Sequence, residues 1–336
     1  MASTSPIAPE LECDERSELI QQLSDLLQLE HVDSATYAML WFADVEAIRT
    51  LVSDASKEFT SESTRTTLQN TPHMRYLKMW LGRRLSASQV PETPDPPVAE
   101  SSQSSRKQPS SPTGPPPVPR DYDVRDLAEK RDKNICVLTK MDEPLEGCHI
   151  FPYSIGQNSK NDKIQFWGRL KNFWSREKVA AWQQDILSDR GTEVCQNLLT
   201  FNTLAHDLWG LARFGLEPVE VSEDRKTLTV RFWWLPRHSP RIVRMTDRPS
   251  LPSDLESGPG KSLMADCETV TFIRSGHVIT MTTEDPETMP LPSLELLGMH
   301  WGLTRVAALA GAAEATDVEF NEESDEDFGD FRIIER

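Results

Sequence analysis

The sequence predicts an α+β fold, and three observations support this prediction. Residues 148–152 and 197–201 are short extended segments, and a stretch with helical spacing of apolar residues follows the second. The same helical spacing occurs before, between and after these segments. Stretches rich in Pro and Ser, together with an acidic C-terminal segment, predict disorder. We therefore expect a strand–strand–helix core with inserted helices, an N-terminal helical region, and a disordered linker and tail.

The composition agrees with a folded part joined to disordered segments. Only 38% of the 336 residues are hydrophobic, and 24 are Pro. The five Cys residues are scattered and include no Cys-x-x-Cys pair, which argues against a disulfide framework and a four-cysteine zinc site. The sequence has no secretory signal and no apolar run of about 18 residues. We therefore expect an intracellular protein, in the nucleus or the cytoplasm, with no membrane partner.

The net charge is −17, which argues against a protein that coats nucleic acid through bulk electrostatic attraction. The charge is unevenly placed, however. Residues 121–250 hold 20 basic and 19 acidic residues, whereas residues 314–336 hold 2 basic and 10 acidic residues. Because the acidity is largely peripheral, the central region remains compatible with nucleic-acid binding.

The first third of the chain predicts helices and then a linker. Residues 1–86 form an N-terminal helical region, with periodic segments at 14–29, 33–57 and 72–85. Such a region packs on the main domain or binds a protein partner, and no residue in it suggests catalysis. Residues 87–120 are rich in Pro and Ser and predict a disordered, extended linker.

The rest of the chain divides into three parts. Residues 121–245 form the central domain, residues 246–313 supply strands and a helix that pack on it, and residues 314–336 form an acidic disordered tail. Further elements are predicted as strands at 135–139, 217–221 and 227–235, two helices within 160–190, a hairpin of 270–273 with 277–281, and a helix over 291–313.

Three polar residues of the central domain outline a metal site. His149 closes the first extended segment, Asn197 opens the second, and His206 follows nine residues later. His206 lies on a predicted helix that Asn202 or Thr203 would cap. Hydrolysis of a phosphodiester needs an activated water and a positive charge on the phosphate. An imidazole can activate the water as a general base, and a divalent metal can supply the charge.

These segments resemble the HNH endonucleases, in particular the type found in many uncharacterised fungal proteins. The resemblance extends from about residue 131 to residue 218. It rests on four motifs: Cys-Val-Leu-Thr at 136–139, Cys-His-Ile-Phe-Pro at 148–152, Asn-Leu-Leu-Thr at 197–200, and His-x-x-Trp at 206–209.

The resemblance implies a ββα-metal (His-Me finger, HNH) core and a metal-dependent endonuclease that cuts nucleic acid, DNA in particular. His149 would be the general base and His206 a metal ligand. Asn197 would brace the catalytic loop or ligate the metal, and Cys148 would be a further candidate ligand. The implied cofactor is a divalent ion, with Mg²⁺, Mn²⁺ and Zn²⁺ as the candidates.

Two residues depart from the family pattern. Many HNH enzymes have Asp, Glu or His directly before the first His, where this chain has Cys148. Many also have Asp four residues after the helix His, where this chain has Gly210. Fewer oxygen ligands disfavour Mg²⁺, and a softer Cys148 with His206 favours zinc. The alternative is a catalytically weakened HNH-fold scaffold or protein-binding module, in which both His residues are hydrogen-bonded core residues.

Overall fold

The fold is described from a computed structural model, which covers residues 7–82, 122–186, 191–252, 255 and 261–315. The predicted linker at 87–120 and the tail beyond residue 315 lie outside the described residues.

Helices and strands are mixed along the chain, which confirms the predicted α+β class. The helices are α1 (Asp14–Leu27), α2 (Ser34–Phe42), α3 (Val45–Ala55), α4 (Glu58–Gln69), α5 (His73–Trp80), α6 (Tyr122–Arg131), α7 (Tyr153–Gln157), α8 (Lys160–Leu170), α9 (Arg176–Gln184), α10 (Thr203–Gly210) and α11 (Leu294–Ala310). The strands are β1 (His31–Asp33), β2 (Leu145–His149), β3 (Leu198–Asn202), β4 (Phe214–Val221), β5 (Thr227–Trp234), β6 (Ile242–Arg244), β7 (Ala265–Asp266), β8 (Thr271–Phe272) and β9 (Val278–Thr282). None of the helices in the described part has both the length and the apolar character needed to cross a membrane.

A two-stranded antiparallel sheet followed by a helix lies at the centre of the molecule. Strand β2 pairs with β3 so that His149 is opposite Leu198. Strand β3 is buried along its whole length, and α10 follows it directly. The Asn202 side chain caps α10 by accepting a hydrogen bond of 2.9 Å from the Ala205 amide. Of the two predicted caps, the structure uses Asn202.

A buried ion pair fixes the start of β3. The Arg131 guanidinium donates to both carboxylate oxygens of Asp132, at 2.8 and 2.9 Å. Arg131 also donates to the Leu198 carbonyl at 2.8 Å, and Asp132 accepts from the Thr200 amide at 3.0 Å. A buried pair is tolerated when further hydrogen bonds satisfy its remaining donors and acceptors. The pair therefore ties the end of α6 to the backbone of β3.

Helix α11 joins the C-terminal part to the N-terminal helices. It packs against α2 on one side and β4 on the other, and one hydrophobic cluster extends from Ile7 to Ala312. The Ser34 hydroxyl donates to the Ala310 carbonyl at 2.7 Å. Gly311 ends the helix at φ +75°, where a side chain would also collide with the backbone of Ser239. The N-terminal helices thus share a core with the rest, and the predicted domain boundaries stay predictions.

The predicted helix over 33–57 is wrong as a single element, because it divides at Asp44. Helix α2 ends at Phe42 and α3 begins at Val45. The Asp44 amide donates to the Phe173 carbonyl at 2.8 Å, and its carboxylate accepts from the Ser175 amide at 3.0 Å. These bonds to the segment between α8 and α9 replace the bonds of a continuous helix. Helix α4, a polar helix that the sequence did not predict, follows α3.

The predicted strand at 135–139 is also wrong. The segment forms turns, with the Lys140 amide donating to the Cys136 carbonyl at 3.0 Å and left-handed backbone at Lys133, Asn134 and Lys140. Its apolar residues are buried, so the run identifies core residues without a strand. Likewise, residues 270–281 form no hairpin: β8 pairs with β7, whereas β9 pairs with β5.

Candidate active site

The hairpin β2–β3 and helix α10 line an open cavity of about 550 Å³. His149 and His206, which are 57 residues apart in sequence, both line it. The other polar and aromatic residues at this cavity include Arg125, Glu193, Trp209 and His300. The structure therefore brings the two sequence-predicted histidines to one cavity that is large enough for a ligand.

His149 is held by a carboxylate that the sequence analysis did not identify. The His149 Nε2 atom lies 2.6 Å from Glu193 Oε1, and the two side chains are only 15% and 7% exposed. A carboxylate can only accept, so the neutral ring donates from Nε2 and keeps its lone pair at Nδ1. The Trp209 indole donates to the His149 carbonyl at 3.3 Å. The ring orientation is thus fixed from the side chain and from the backbone.

His206 has a carboxylate partner as well, but in a more exposed setting. Its Nδ1 atom is hydrogen-bonded to Glu146 Oε2, and both side chains are 39% exposed. The hydrogen bond from His206 lowers the pKa of Glu146 below its usual value, so Glu146 is a carboxylate near neutral pH. Because Glu146 is on β2 and His206 on α10, the pair joins the strand to the helix that follows the sheet.

Asn197 braces the loop between β2 and α7. Its Oδ1 accepts from the Phe151 amide at 2.7 Å, and its Nδ2 donates to the Phe151 and Thr192 carbonyls, both at 3.0 Å. The side chain is fully buried. These three bonds fit the brace, which is one of the two roles open to Asn197. They do not fit the ligand role, because the amide oxygen is buried and already engaged.

Cys148 is buried and protonated. Its side chain is 1% exposed and belongs to the hydrophobic core. Burial first, and then the charge of Glu146, raise the pKa of the Cys148 thiol well above its usual value. Metal ligation requires the thiolate. The structure therefore places Cys148 beside the cavity in the form least suited to hold a metal. All five cysteines are free thiols.

A third histidine, His300, forms part of the cavity wall. Its ring stacks on Trp209 with 3.5 Å between ring centroids. Burial lowers its pKa well below the usual value for histidine, so the ring is neutral. His300 has no carboxylate partner among the described residues, in contrast to the other two histidines. It is a core residue at the edge of the site.

The side chains at and beside the cavity fit a divalent ion whose other ligands are water and substrate phosphate. Within the described ranges, no three His, Cys, Asp or Glu side chains are grouped so as to hold an ion. His206 and Glu146 offer one imidazole and one carboxylate, both partly exposed. A hydrated divalent ion bound by few protein groups and by substrate phosphate needs no more than such a pair. The fit is therefore that of a weakly held ion.

The sequence did not predict the roles of Glu146 and Glu193, and the reasons differ. Glu146 had a local signal: it lies three residues before His149, on the strand that leads to it. Glu193 had none, because it lies 44 residues from its partner in a segment with no periodic pattern. Arg125, a third cavity residue, donates to the Leu145 carbonyl at 2.9 Å and pairs with Glu129 at 2.6 Å.

The family comparison agrees with the motifs. Residues 136–217, about a quarter of the chain, match the model of the family described as HNH endonuclease. No curated protein and no solved structure matches the chain. The resemblance inferred from the sequence is thereby confirmed: the segment that holds the hairpin, the inserted helices and α10 carries an HNH endonuclease domain.

Proposed function

We propose that the protein is a metal-dependent HNH endonuclease that hydrolyses phosphodiester bonds of nucleic acid, DNA in particular. The observation that carries the proposal is the placement of two carboxylate-bonded histidines at one open cavity. His149, bonded to Glu193, lines the cavity from strand β2, and His206, bonded to Glu146, lines it from helix α10. The ββα-metal core and the roles given below are parts of this proposal.

His149 is the general base. Its Nδ1 atom carries the lone pair, because Nε2 is bonded to Glu193. A water molecule in the cavity gives its proton to Nδ1 as it attacks the phosphorus. The Glu193 carboxylate then stabilises the imidazolium through the hydrogen bond that it already holds. General-base catalysis of this kind contributes about 10²–10⁴-fold.

His206 and Glu146 would hold the divalent ion. A bound ion supplies the positive charge that stabilises the phosphate and the leaving oxygen. Asn197 keeps the His149 backbone in place, since two of its three hydrogen bonds hold Phe151, two residues further on. Arg125 is the one arginine or lysine at the cavity among the described residues, and it favours binding of the phosphate.

The test is nicking of supercoiled plasmid by the full chain with Mg²⁺, Mn²⁺ or Zn²⁺. We expect nicking with at least one ion, and we expect His149→Ala to lower its rate by about 10²–10⁴-fold. Near-ultraviolet circular dichroism of the nine Trp residues checks that the variant is folded. If His149→Ala nicks as fast as the original chain, His149 is not the base.

A second function is supported by two features of the site. Cys148 is unavailable as a ligand, and Gly210 stands where many HNH enzymes have Asp. Both suit a scaffold or protein-binding module that keeps the HNH fold without cleavage. The same assay separates the two functions, because a scaffold would nick plasmid with none of the three ions.

A further inference from the structure

The segment inserted between β2 and β3 is basic, although the chain is acidic. Residues 160–178 contain six Lys or Arg and two Asp or Glu, while the net charge of the whole chain is −17. These residues form α8, the turn after it and the start of α9. Most of an acidic protein repels an anion, so a local excess of positive charge indicates where an anion can bind.

Much of the positive charge lies on one side of α8. Successive helical residues are 100° apart, so Trp167 and Lys171 lie about 20° to either side of Lys160 around the axis. Lys163 lies about 60° to one side, and its Nζ donates to the Gly156 carbonyl at 3.0 Å. The acidic residue of this helix, Asp162, points the other way, about 160° from Lys160. We call Lys160, Lys163 and Lys171 the lysine face.

The lysine face lacks the neutralising partners that most other basic residues have. Arg225 and Lys178 are paired with Glu287 and Asp44, at 2.6 and 2.9 Å. No such ion pair is formed by Lys160, Lys163 or Lys171 within the described residues. Lys160 and Lys171 are exposed, so their ammonium groups can bind a phosphate without breaking an internal contact. Lys163 is half-buried and would have to release the Gly156 carbonyl.

The lysine face follows a cavity-lining segment directly in the chain. Gln157 and Asn158 line the cavity, and α8 begins two residues after Asn158. Trp167 stacks on Phe151 with 5.7 Å between centroids and 3° between ring planes. Phe151 is two residues from His149. The face is therefore fastened to the loop that presents the proposed base.

We propose that the lysine face binds the phosphate backbone of the nucleic acid that enters the cavity, which rests on the proposed function. Eleven residues separate Lys160 from Lys171, so the face is about 16 Å long. This length matches about five nucleotides of one strand. It brings two or three phosphates within reach of the three ammonium groups and directs the strand towards His149.

The experiment measures binding of the full chain to a fluorescent 20-base-pair DNA duplex in EDTA, at several KCl concentrations. The variant is Lys160→Glu/Lys171→Glu, which leaves the Lys163 hydrogen bond intact. The matched control is Lys57→Glu/Lys226→Glu, which makes the same charge change at exposed positions on α3's C-terminal side and in the β4–β5 turn. We expect at least a tenfold loss of affinity at low salt for the variant, and less than twofold for the control.

The salt dependence sharpens the result. Each lost phosphate contact should lower the slope of log K against log salt by about 0.9, so the variant should lose about two units of slope. Equal losses of DNA affinity in the variant and the control would show that affinity depends only on the net charge of the protein. That result would overturn the proposal. So would unchanged DNA affinity together with lost affinity for a synthetic peptide of residues 316–336, because the face would then bind the acidic tail.

Failure of this inference is distinguishable from failure of the proposed function. If the original chain nicks plasmid but the Lys160→Glu/Lys171→Glu variant binds DNA normally, the lysine face is wrong and the nuclease stands. If the variant loses DNA affinity but the original chain nicks with none of the ions, the binding surface stands and the catalytic function is wrong.

Discussion

Two histidines at the same cavity are each paired with a carboxylate, but the two pairs lie in different environments. The His149–Glu193 pair is 15% and 7% exposed, whereas the His206–Glu146 pair is 39% exposed on both sides. The chemical groups are the same in the two pairs. In the buried pair, little water can reach the carboxylate to replace its hydrogen bond with the histidine. In the exposed pair, water and dissolved ions can displace either group from the other.

This difference assigns different work to the two pairs. A buried imidazole that its partner already orients needs little reorganisation energy to accept a proton. The His149 pair therefore suits proton transfer. A partly exposed imidazole and carboxylate can separate to accept another ligand, so the His206 pair suits reversible metal binding. The predictions below test this assignment, from the largest expected effect to the smallest.

Of the two carboxylate substitutions, Glu193→Gln is expected to have the larger effect. The glutamine keeps the size of the side chain but cannot stabilise the imidazolium of His149, so plasmid nicking should fall by about 100-fold. Raising the metal concentration should not restore it, because Glu193 acts through His149. Glu193→Asp keeps the charge and should recover part of the rate. Full rescue of Glu193→Gln by excess metal would place Glu193 at the ion and reverse the assignment.

A smaller and different effect is expected from Glu146→Gln. The variant should need about tenfold more metal for half-maximal nicking, because the carboxylate beside His206 is lost. At saturating metal its rate should approach that of the original chain. A titration of nicking rate against metal concentration measures both quantities. If the rate stays low at every concentration, Glu146 belongs with the base instead of the ion.

From the sequence we predicted most of the elements that carry this site and both of its histidines. We did not predict the carboxylate partners of the histidines. The order His149, Asn197, His206 identified the hairpin and helix, because His149 ends β2, Asn197 directly precedes β3, and His206 lies within α10. Helical periodicity located α8 and α9 within the predicted 160–190 insertion. These signals depend on neighbours a few residues apart, which the sequence displays directly.

The missing half depends on the path of the chain in space. The Glu193–His149 contact spans 44 residues, and no local pattern marks it. For a related reason, the backbone conformation of short apolar runs could not be predicted. Residues 136–139 are buried, but the backbone turns there. The Cys136 carbonyl accepts a hydrogen bond from the Lys140 amide, as in a turn and not as in a strand. Burial could be predicted there, but backbone conformation depended on the partner that the rest of the fold supplied.

His300, the third histidine at the cavity, differs from the other two because it has no carboxylate partner among the described residues. His300 stays neutral in the folded state because burial lowers its pKa, whereas in the unfolded chain it takes up a proton below about pH 6.5. The unfolded state then binds more protons, so the free energy of unfolding should fall as the pH falls. The expected slope is at most about 1.4 kcal/mol per pH unit.

Urea denaturation at pH 7.5 and 5.5 measures this slope. His300→Gln should reduce it, because the variant lacks the ring that takes up a proton on unfolding. His73 should contribute in the same direction as His300, because burial lowers its pKa too. The same slope in His300→Gln and in the original chain would contradict the assignment of this pH dependence to His300.

The smallest effect expected is a gain, from Gly210→Asp. Gly210 lies four residues after His206 on α10, so the new carboxylate would lie on the same side of the helix. A Cβ atom added at this position would meet no atom within 4 Å, so a side chain can begin there without a clash. We expect the metal concentration for half-maximal nicking to fall about three- to tenfold, while Gly210→Asn, with the same shape and no charge, leaves it unchanged. A gain in both variants would arise from replacing glycine in the helix, and no gain in either would place the ion away from α10. Only a gain confined to the aspartate would support metal binding by the exposed pair.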